Sequence, residues 1–251
     1  MRLQPHLCRY WLNPNKDCEL EFKRQVNEVC QLYQCADKLL EKNIHLISVD
    51  EMTGIQALER VKKTKLAKPG QVEKQEFEYL RHGTQSLIGN WHVAIGKIIA
   101  PTIKATRTEL DFVEHIQNTI ETDPQAGWIF ILDQLNTHCS ESLVKMVARL
   151  CEINIDLGEK GSSGILKSMS SRREFLSNQE HRIRFVYVPK HTSWLNQIEC
   201  WFSILVRRLI KRSSFLSTED LKEKIVDFID YFNRYFSKPF NWKFQGYETG
   251  A

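Results

Sequence analysis

Three carboxylates stand where a chain can bring chemistry together. Asp50 follows the short apolar run of NIHLISVDE (residues 43–51), Asp133 follows the run of WIFILDQ (128–134), and Glu199 lies in SWLNQIECWFSIL (193–205). The two runs read as buried strands, whereas Ile198, Phe202, Leu205 and Leu209 recur at the spacing of one helix face. If the strands are neighbours, both aspartates reach one edge of a sheet and the helix delivers Glu199 across them. Three carboxylates so close repel one another and are tolerable mainly with cations between them. The donors are all oxygens with no His/Cys set, which favours Mg²⁺ or Mn²⁺ over zinc. Two such ions can activate an attacking oxygen and stabilise a leaving one at a phosphodiester. Each acid also has a purely local reading. An aspartate after a strand serves as a turn or cap residue. With Asn196 as N-cap, Glu199 falls at the third helical position, where it bonds back to the cap N–H.

The elements that must position these acids follow from periodicity and turn signals. An extended, tryptophan-bearing lead (YWLNPNKD) precedes a helix over about 19–40. The first strand covers 44–49 and ends at Asp50 and Glu51. The stretch 84–100, TQSLIGNWHVAIGKIIA, reads as two strands joined by a tight turn at 89–91. A helix follows over 106–122, capped by Thr106 or Thr108, with Leu110, Val113, Ile116 and Ile120 on its apolar face. After the second buried strand come a helix over 140–152, a Gly/Ser turn and a short helix near 167–176. A third strand, RIRFVYVP, is stopped by Pro189. The Glu199 helix and a last amphipathic helix over about 217–236 complete the chain. This order predicts an α/β fold, a mixed central sheet flanked by helices.

Composition narrows the function classes. The chain has 251 residues, 42% of them hydrophobic, which is enough for a real core. With 35 Lys and Arg against 31 Asp and Glu the formal charge is only +4. The basic residues are clustered, in VKKTKLAK (61–68), SRR (171–173) and RRLIKR (207–212). Such runs are usually solvated faces, but beside a carboxylate site they suit a phosphate-rich ligand. Seven scattered cysteines without C-x-x-C indicate neither a zinc site nor a disulfide framework, which reads as a reduced, cytoplasmic protein. No apolar run approaches the ~18 residues of a membrane helix. GEKGSSG (158–164) lacks the ending of a P-loop.

The stretches VDEMTGIQALER, EFEYLRHGTQSLIG, FILDQLNTHCSESLV, VYVPKHTSWLNQIECWFSILVRRL and FIDYFNRYFSKPF resemble the DDE transposases of the mariner superfamily, in the bacterial insertion-sequence branch. The resemblance spans nearly the whole chain. It implies a ribonuclease H-like fold with Asp50, Asp133 and Glu199 as catalytic acids holding two Mg²⁺ (or Mn²⁺) ions. It further implies cleavage of DNA at transposon ends and joining of the freed 3′-hydroxyl to target DNA, generally at a TA dinucleotide. A homodimer acting on paired ends, nucleoid-associated in the bacterial cytoplasm, is expected with it.

Supporting residues are read beside the acids. Asn136 and His138 complete D-x-x-N-x-H after Asp133 and match the family; His138 orients a carboxylate, contacts a phosphate or positions water, or else packs or caps. Arg81, His82, Lys190 and His191 flank strands as phosphate donors. Trp194 stacks on a base or packs, Asn196 supports the site, and Trp201 and Phe202 read as core. Two features depart from the family pattern. Gln134 stands where many relatives have Asn, and the 66 positions from 133 to 199 exceed the common spacing. The extra length at about 151–180 reads as an insertion. Residues 1–40 read as the tail of a helix-turn-helix region and 41–251 as the catalytic domain. Two alternatives stay open: a catalytically silent remnant that only binds DNA or dimerises, and another ribonuclease H-like nuclease.

Overall fold

The computed structural model describes residues 16–62, 65–74 and 76–248; the start of the tryptophan-bearing lead lies outside them. Among these residues six strands form one sheet in the order β3-β2-β1-β5-β6, with β4 beside β2. The spine is β1 (Ile44–Arg60), antiparallel to β2 (Tyr79–His92) and, over residues 44–48, parallel to β5 (Gly127–Leu132). β5 in turn pairs in parallel with β6 (Ile183–Tyr187). Short strands β3 (Lys97–Ile98) and β4 (Thr102–Lys104) finish the β2 edge.

Both faces are covered, and β5 shows why. Trp128 to Leu132 are all buried, the mark of a parallel strand with helices on each side. Ile129 and Ile131 enter the core shared with α1 (Lys16–Gln34), α6 (Ile198–Leu205) and α7 (Thr218–Tyr235). Trp128, Phe130 and Leu132 enter the opposite core, built with α3 (Glu109–Ile120), α4 (Glu141–Leu150) and α5 (Met169–Leu176). The mixed sheet between helical layers agrees with the sequence reading. Of the two caps offered for the helix after 106, it is Thr108 that forms a capping box, with Asp111; Ser140 precedes its helix as an N-cap, accepting from the Leu143 N–H.

Four readings are corrected. The first helix breaks at Cys35, giving α1 and a short α2 (Ala36–Glu41). β1 does not end at Asp50 but runs on to Arg60 as an arm paired with β2. Register shifts at Met52/Ile55 and Gln56/Leu58 break its alternation, so the pattern of period two is lost locally. Residues 84–92 belong to one strand with no turn at 89–91. The chain turns at 93–96 instead, where Gly96 has φ 67° and lies so close to the Lys238 backbone that no Cβ would fit. Leu110 is exposed, and Phe112 takes its place against the sheet with Ile116 and Ile120. Within 151–180, residues 159–164 run over the surface, whereas Phe175 and Leu176 of α5 are part of the core.

Candidate active site

Ser48 of β1 lies opposite Ile131 of β5 in the parallel register, so two residues further on Asp50 and Asp133 come level at the same edge. Asp50 is mid-strand and buried. Its carboxylate accepts the Glu51 N–H at 2.7 Å and an amide hydrogen of Asn196 at 3.2 Å. Asp133 sits one residue beyond β5, where its Oδ1 accepts the Leu135 N–H at 3.1 Å.

The approach to α6 is fastened to the sheet, and not by a capping box. Helix α6 begins after Gln197, whose side chain caps nothing, and the Asn196 N–H donates to the Ser193 carbonyl at 2.8 Å. The Asn196 side chain reaches across to β1 instead. It donates to the Val49 carbonyl at 2.8 Å and accepts from the Ser48 hydroxyl, which itself accepts the Ile198 N–H at 2.9 Å. A β1 hydroxyl thus satisfies a donor of the first helical turn that the N-cap side chain leaves open. Trp91 donates to Gln197 Oε1 at 3.1 Å and the Tyr33 hydroxyl to the Leu195 carbonyl at 2.9 Å. This buried network sets Glu199, partly exposed in the first turn, at the edge that carries Asp50 and Asp133.

The electrostatics follow from that convergence. Burial pushes the Asp50 carboxyl up to about 6, and the charges of Asp133 and Glu199 add to the rise. Burial, with the Asp133 charge, also lifts Glu199. Burial would lift Asp133 as well, but His138 outweighs it and holds that carboxyl below its ordinary value. His138 itself is fully buried, with Nδ1 2.8 Å from Asp133 Oδ1 and Nε2 3.5 Å from Glu51 Oε1. Burial disfavours its charge, yet the two carboxylates win and raise it to about 9. Glu51, with its side chain only 3% exposed, is paired on its other oxygen with Arg107. Burial is again overcome, here by His138 and Arg107, and Glu51 stays below its usual value. Sequence reasoning missed Glu51. The available signal was the doublet Asp50-Glu51 inside a strand, where successive side chains face opposite sides of the sheet.

The remaining candidates divide by place. Asn136 opens the 3₁₀ turn that carries His138 and, with Glu51 and Arg107, lines a hollow of about 380 Å³. Lys190 and His191 are exposed in the loop after β6, beyond the same sheet edge; His191 has φ 63°. Trp194 is about half exposed, its ring edge-on to Phe244 at 5.4 Å. Arg81 and His82 are not brought to the acids. Arg81 pairs with Leu58, eight residues along β1 from Asp50, roughly 27 Å at ~3.4 Å per residue. His82 Nε2 is engaged by Glu59 at 2.7 Å. Trp201 and Phe202 are core. In the SRR cluster Arg172 is buried and holds the Cys139 and Leu166 carbonyls, so it is no solvated face. Beside Glu199 an open cleft of about 710 Å³ is lined by Arg207 and Lys211. It adjoins a second hollow of about 450 Å³ along the arm, with Met52, Thr53, Val206 and Lys211 common to both. A single turn of π-helix (Val206–Ile210), a form frequent at functional sites, forms one wall.

Among the described residues no three His, Cys, Asp or Glu side chains converge tightly enough to be a ready-made cation cage. The donor set nevertheless fits a hard divalent cation. It is all oxygen, and a cation would relieve the carboxylate repulsion that adds to burial in lifting Asp50 and Glu199.

A mixed sheet in this strand order, with helices on both faces, is a ribonuclease H-like fold. A family model of DDE superfamily endonucleases matches residues 45–222, and the chain belongs to that family. No curated protein matches it by sequence. Solved structures of the Mos1 mariner transposase share the fold. The Mos1 strand transfer complex superposes with TM-score 0.54 at 11% identity, covering 91% of this chain and 59% of that one. The Mos1 paired-end complex with Mn gives TM-score 0.53 at 13% identity, covering 92% and 60%. The paired-end complex with the left transposon end gives 0.50 at 12%, covering 91% and 59%. The chain thus spans about three fifths of the Mos1 chains in these three complexes.

Proposed function

We propose that this chain is a transposase catalytic domain that cleaves DNA at transposon ends and joins the 3′-hydroxyl to target DNA by two-metal phosphoryl transfer. The observation that carries the reading is the meeting of Asp50, Asp133 and Glu199 at one sheet edge, close enough for the Asp133 charge to add to the rise that burial gives Asp50 and Glu199. These three would hold Mg²⁺ or Mn²⁺, two ions, which when bound supply charge neutralisation at the phosphodiester and ease deprotonation of the attacking hydroxyl. The chain's own residues do the rest. Asn196 orients Asp50, His138 orients Asp133, and the fastened start of α6 fixes Glu199. Arg207 and Lys211 offer the cleft beside Glu199 a positive wall for a DNA backbone. The Mos1 complexes with transposon ends and with Mn support the same assignment by fold. The finer expectations belong to this reading: the bacterial insertion-sequence branch, a homodimer, target joining at TA, and work on DNA in the cytoplasm.

The test is cleavage of duplex DNA by the purified chain with Mg²⁺ or Mn²⁺, compared with Asp133→Asn. Cleavage that needs the divalent ion and disappears in the variant is the expected result. Equal cleavage by both proteins would remove Asp133 from the reaction. A second reading, a chain that binds DNA without cutting it, is favoured by the absence of a ready-made cage among the described residues. Retained DNA binding with no cleavage by the unaltered chain would select it.

A further inference from the structure

A chain of side-chain contacts, buried at its middle, crosses the site on the face of β1 away from the Ser48 contact with α6. It runs from Arg107, before α3, through Glu51 of β1 and His138 of the 3₁₀ turn to Asp133 after β5. Its members come from three separate segments, Asp133 and His138 sharing the connection between β5 and α4, so no local turn brings Glu51 and Arg107 to that pair. Glu51 is buried on the face of β1 opposite Ser48 and the α6 network. His138 is enclosed as well: its ring lies 4.3 Å from Phe112, and its backbone carbonyl accepts the Tyr187 hydroxyl at 2.8 Å. Its Nδ1 is turned to Asp133, 2.8 Å from Oδ1 and 3.2 Å from the backbone carbonyl oxygen. Its Nε2 faces Glu51 Oε1 at 3.5 Å. Both imidazole nitrogens are able to bond, so Glu51 stands where it backs the ring from the side opposite Asp133.

We propose that Glu51, held by Arg107, is a positioning residue that acts through His138 to set the Asp133 carboxylate for cation binding and DNA cleavage. The inference rests on the reading of Asp133 as a cation ligand. Carboxylate–histidine supports of this kind typically matter 10- to 100-fold in metal affinity or activity. The Glu51 carboxylate meets His138 on one oxygen and Arg107 on the other, and His138 meets Asp133, so the effect of its charge is expected at Asp133.

The experiment measures Mn²⁺ affinity from the free-ion electron paramagnetic resonance signal, and single-turnover DNA cleavage, in four proteins: unaltered, Glu51→Gln, Arg107→Met and Asp133→Asn. Glu51→Gln keeps the shape and removes the charge. We expect it to weaken Mn²⁺ binding about tenfold and slow cleavage by a similar factor, with DNA affinity unchanged. Arg107 is 42% exposed, so Arg107→Met leaves the core intact and is expected to shift both readouts in the same direction by a smaller factor. It carries the test if Glu51→Gln does not fold. Unaltered Mn²⁺ affinity and cleavage in the folded variants, with both lost in Asp133→Asn, would overturn the role of Glu51 alone. Mn²⁺ affinity and cleavage that survive in Asp133→Asn would overturn the reading of the site itself, and the inference with it.

Discussion

Asn196 and Asp50 are joined by a hydrogen bond of 3.2 Å that ties the approach to α6 to the middle of β1. The same amide group holds the Val49 carbonyl at 2.8 Å. One buried side chain therefore sets the distance between the strand that carries one acid and the helix that carries another.

Replacing Asn196 by Leu leaves the Val49 carbonyl and the Ser48 hydroxyl without that partner in a dry setting. The expected cost is about 2–4 kcal/mol, at ~1–3 kcal/mol per buried group left unsatisfied and partly offset by apolar burial. Urea unfolding checks it. A midpoint unchanged from the unaltered protein would mean that the network contributes nothing to stability.

Gly89 sets how closely α6 approaches the sheet. It lies opposite Asp50 in the β1–β2 register, and a Cβ there would stand 3.1 Å from the Phe202 ring and 3.2 Å from Ile198. Gly89→Val must push α6 outward. Overpacking of this kind costs about 1–3 kcal/mol, and the displacement carries Glu199 with it. DNA cleavage is expected to fall more steeply than thermal stability. A variant less stable but fully active would show that α6 tolerates the shift without loss of function.

Buried histidines shape the acid limb of stability. Burial, with the His45 charge, holds His92 down at about 4, and burial holds His115 down at about 3. Both lie below the unfolded value of 6.5, so their stabilisation is complete above pH 6.5 and is lost as pH falls through their folded values. Each contributes a slope of about 1.4 kcal/mol per pH unit inside its window. Asp50, raised to about 6, works the other way between 3.8 and 6 and offsets one of them. His138, raised to about 9, gives stability that is complete below pH 6.5 and lost as pH rises through 9. Without divalent cations, stability is therefore expected to peak near pH 6.5 and to fall on both sides. Urea midpoints from pH 4 to 9 test this, and a flat profile would refute it.

The cleft beside Glu199 is expected to hold a nucleic-acid backbone by charge. Lys211→Ala and Arg207→Ala should each weaken duplex DNA binding whatever its sequence. Each should also make the slope of log K against log salt shallower by about one unit. Fluorescence anisotropy over a salt series reads both. Unchanged slopes would place the DNA elsewhere.

Local pattern decided a good part of this protein. The apolar run of β5 and the largely apolar run of β6 marked strands, Thr108 was one of two caps marking a helix start, and Asp133 fell where a strand ends. Those features depend on residues within a turn or a strand of one another, which is the range over which periodicity and capping act. The rest depended on partners far away in the chain. β1 continues past Asp50 because β2 supplies hydrogen bonds there, and bulges hide the alternation. Asn196 looks like an N-cap in sequence, yet its amide finds Val49 and Asp50 nearly 150 residues earlier. Glu51 reads only as a second acid at the end of the first strand. Only the tertiary fold buries it between Arg107 and His138, because which charge meets which is set by the packing of strand, loop and turn.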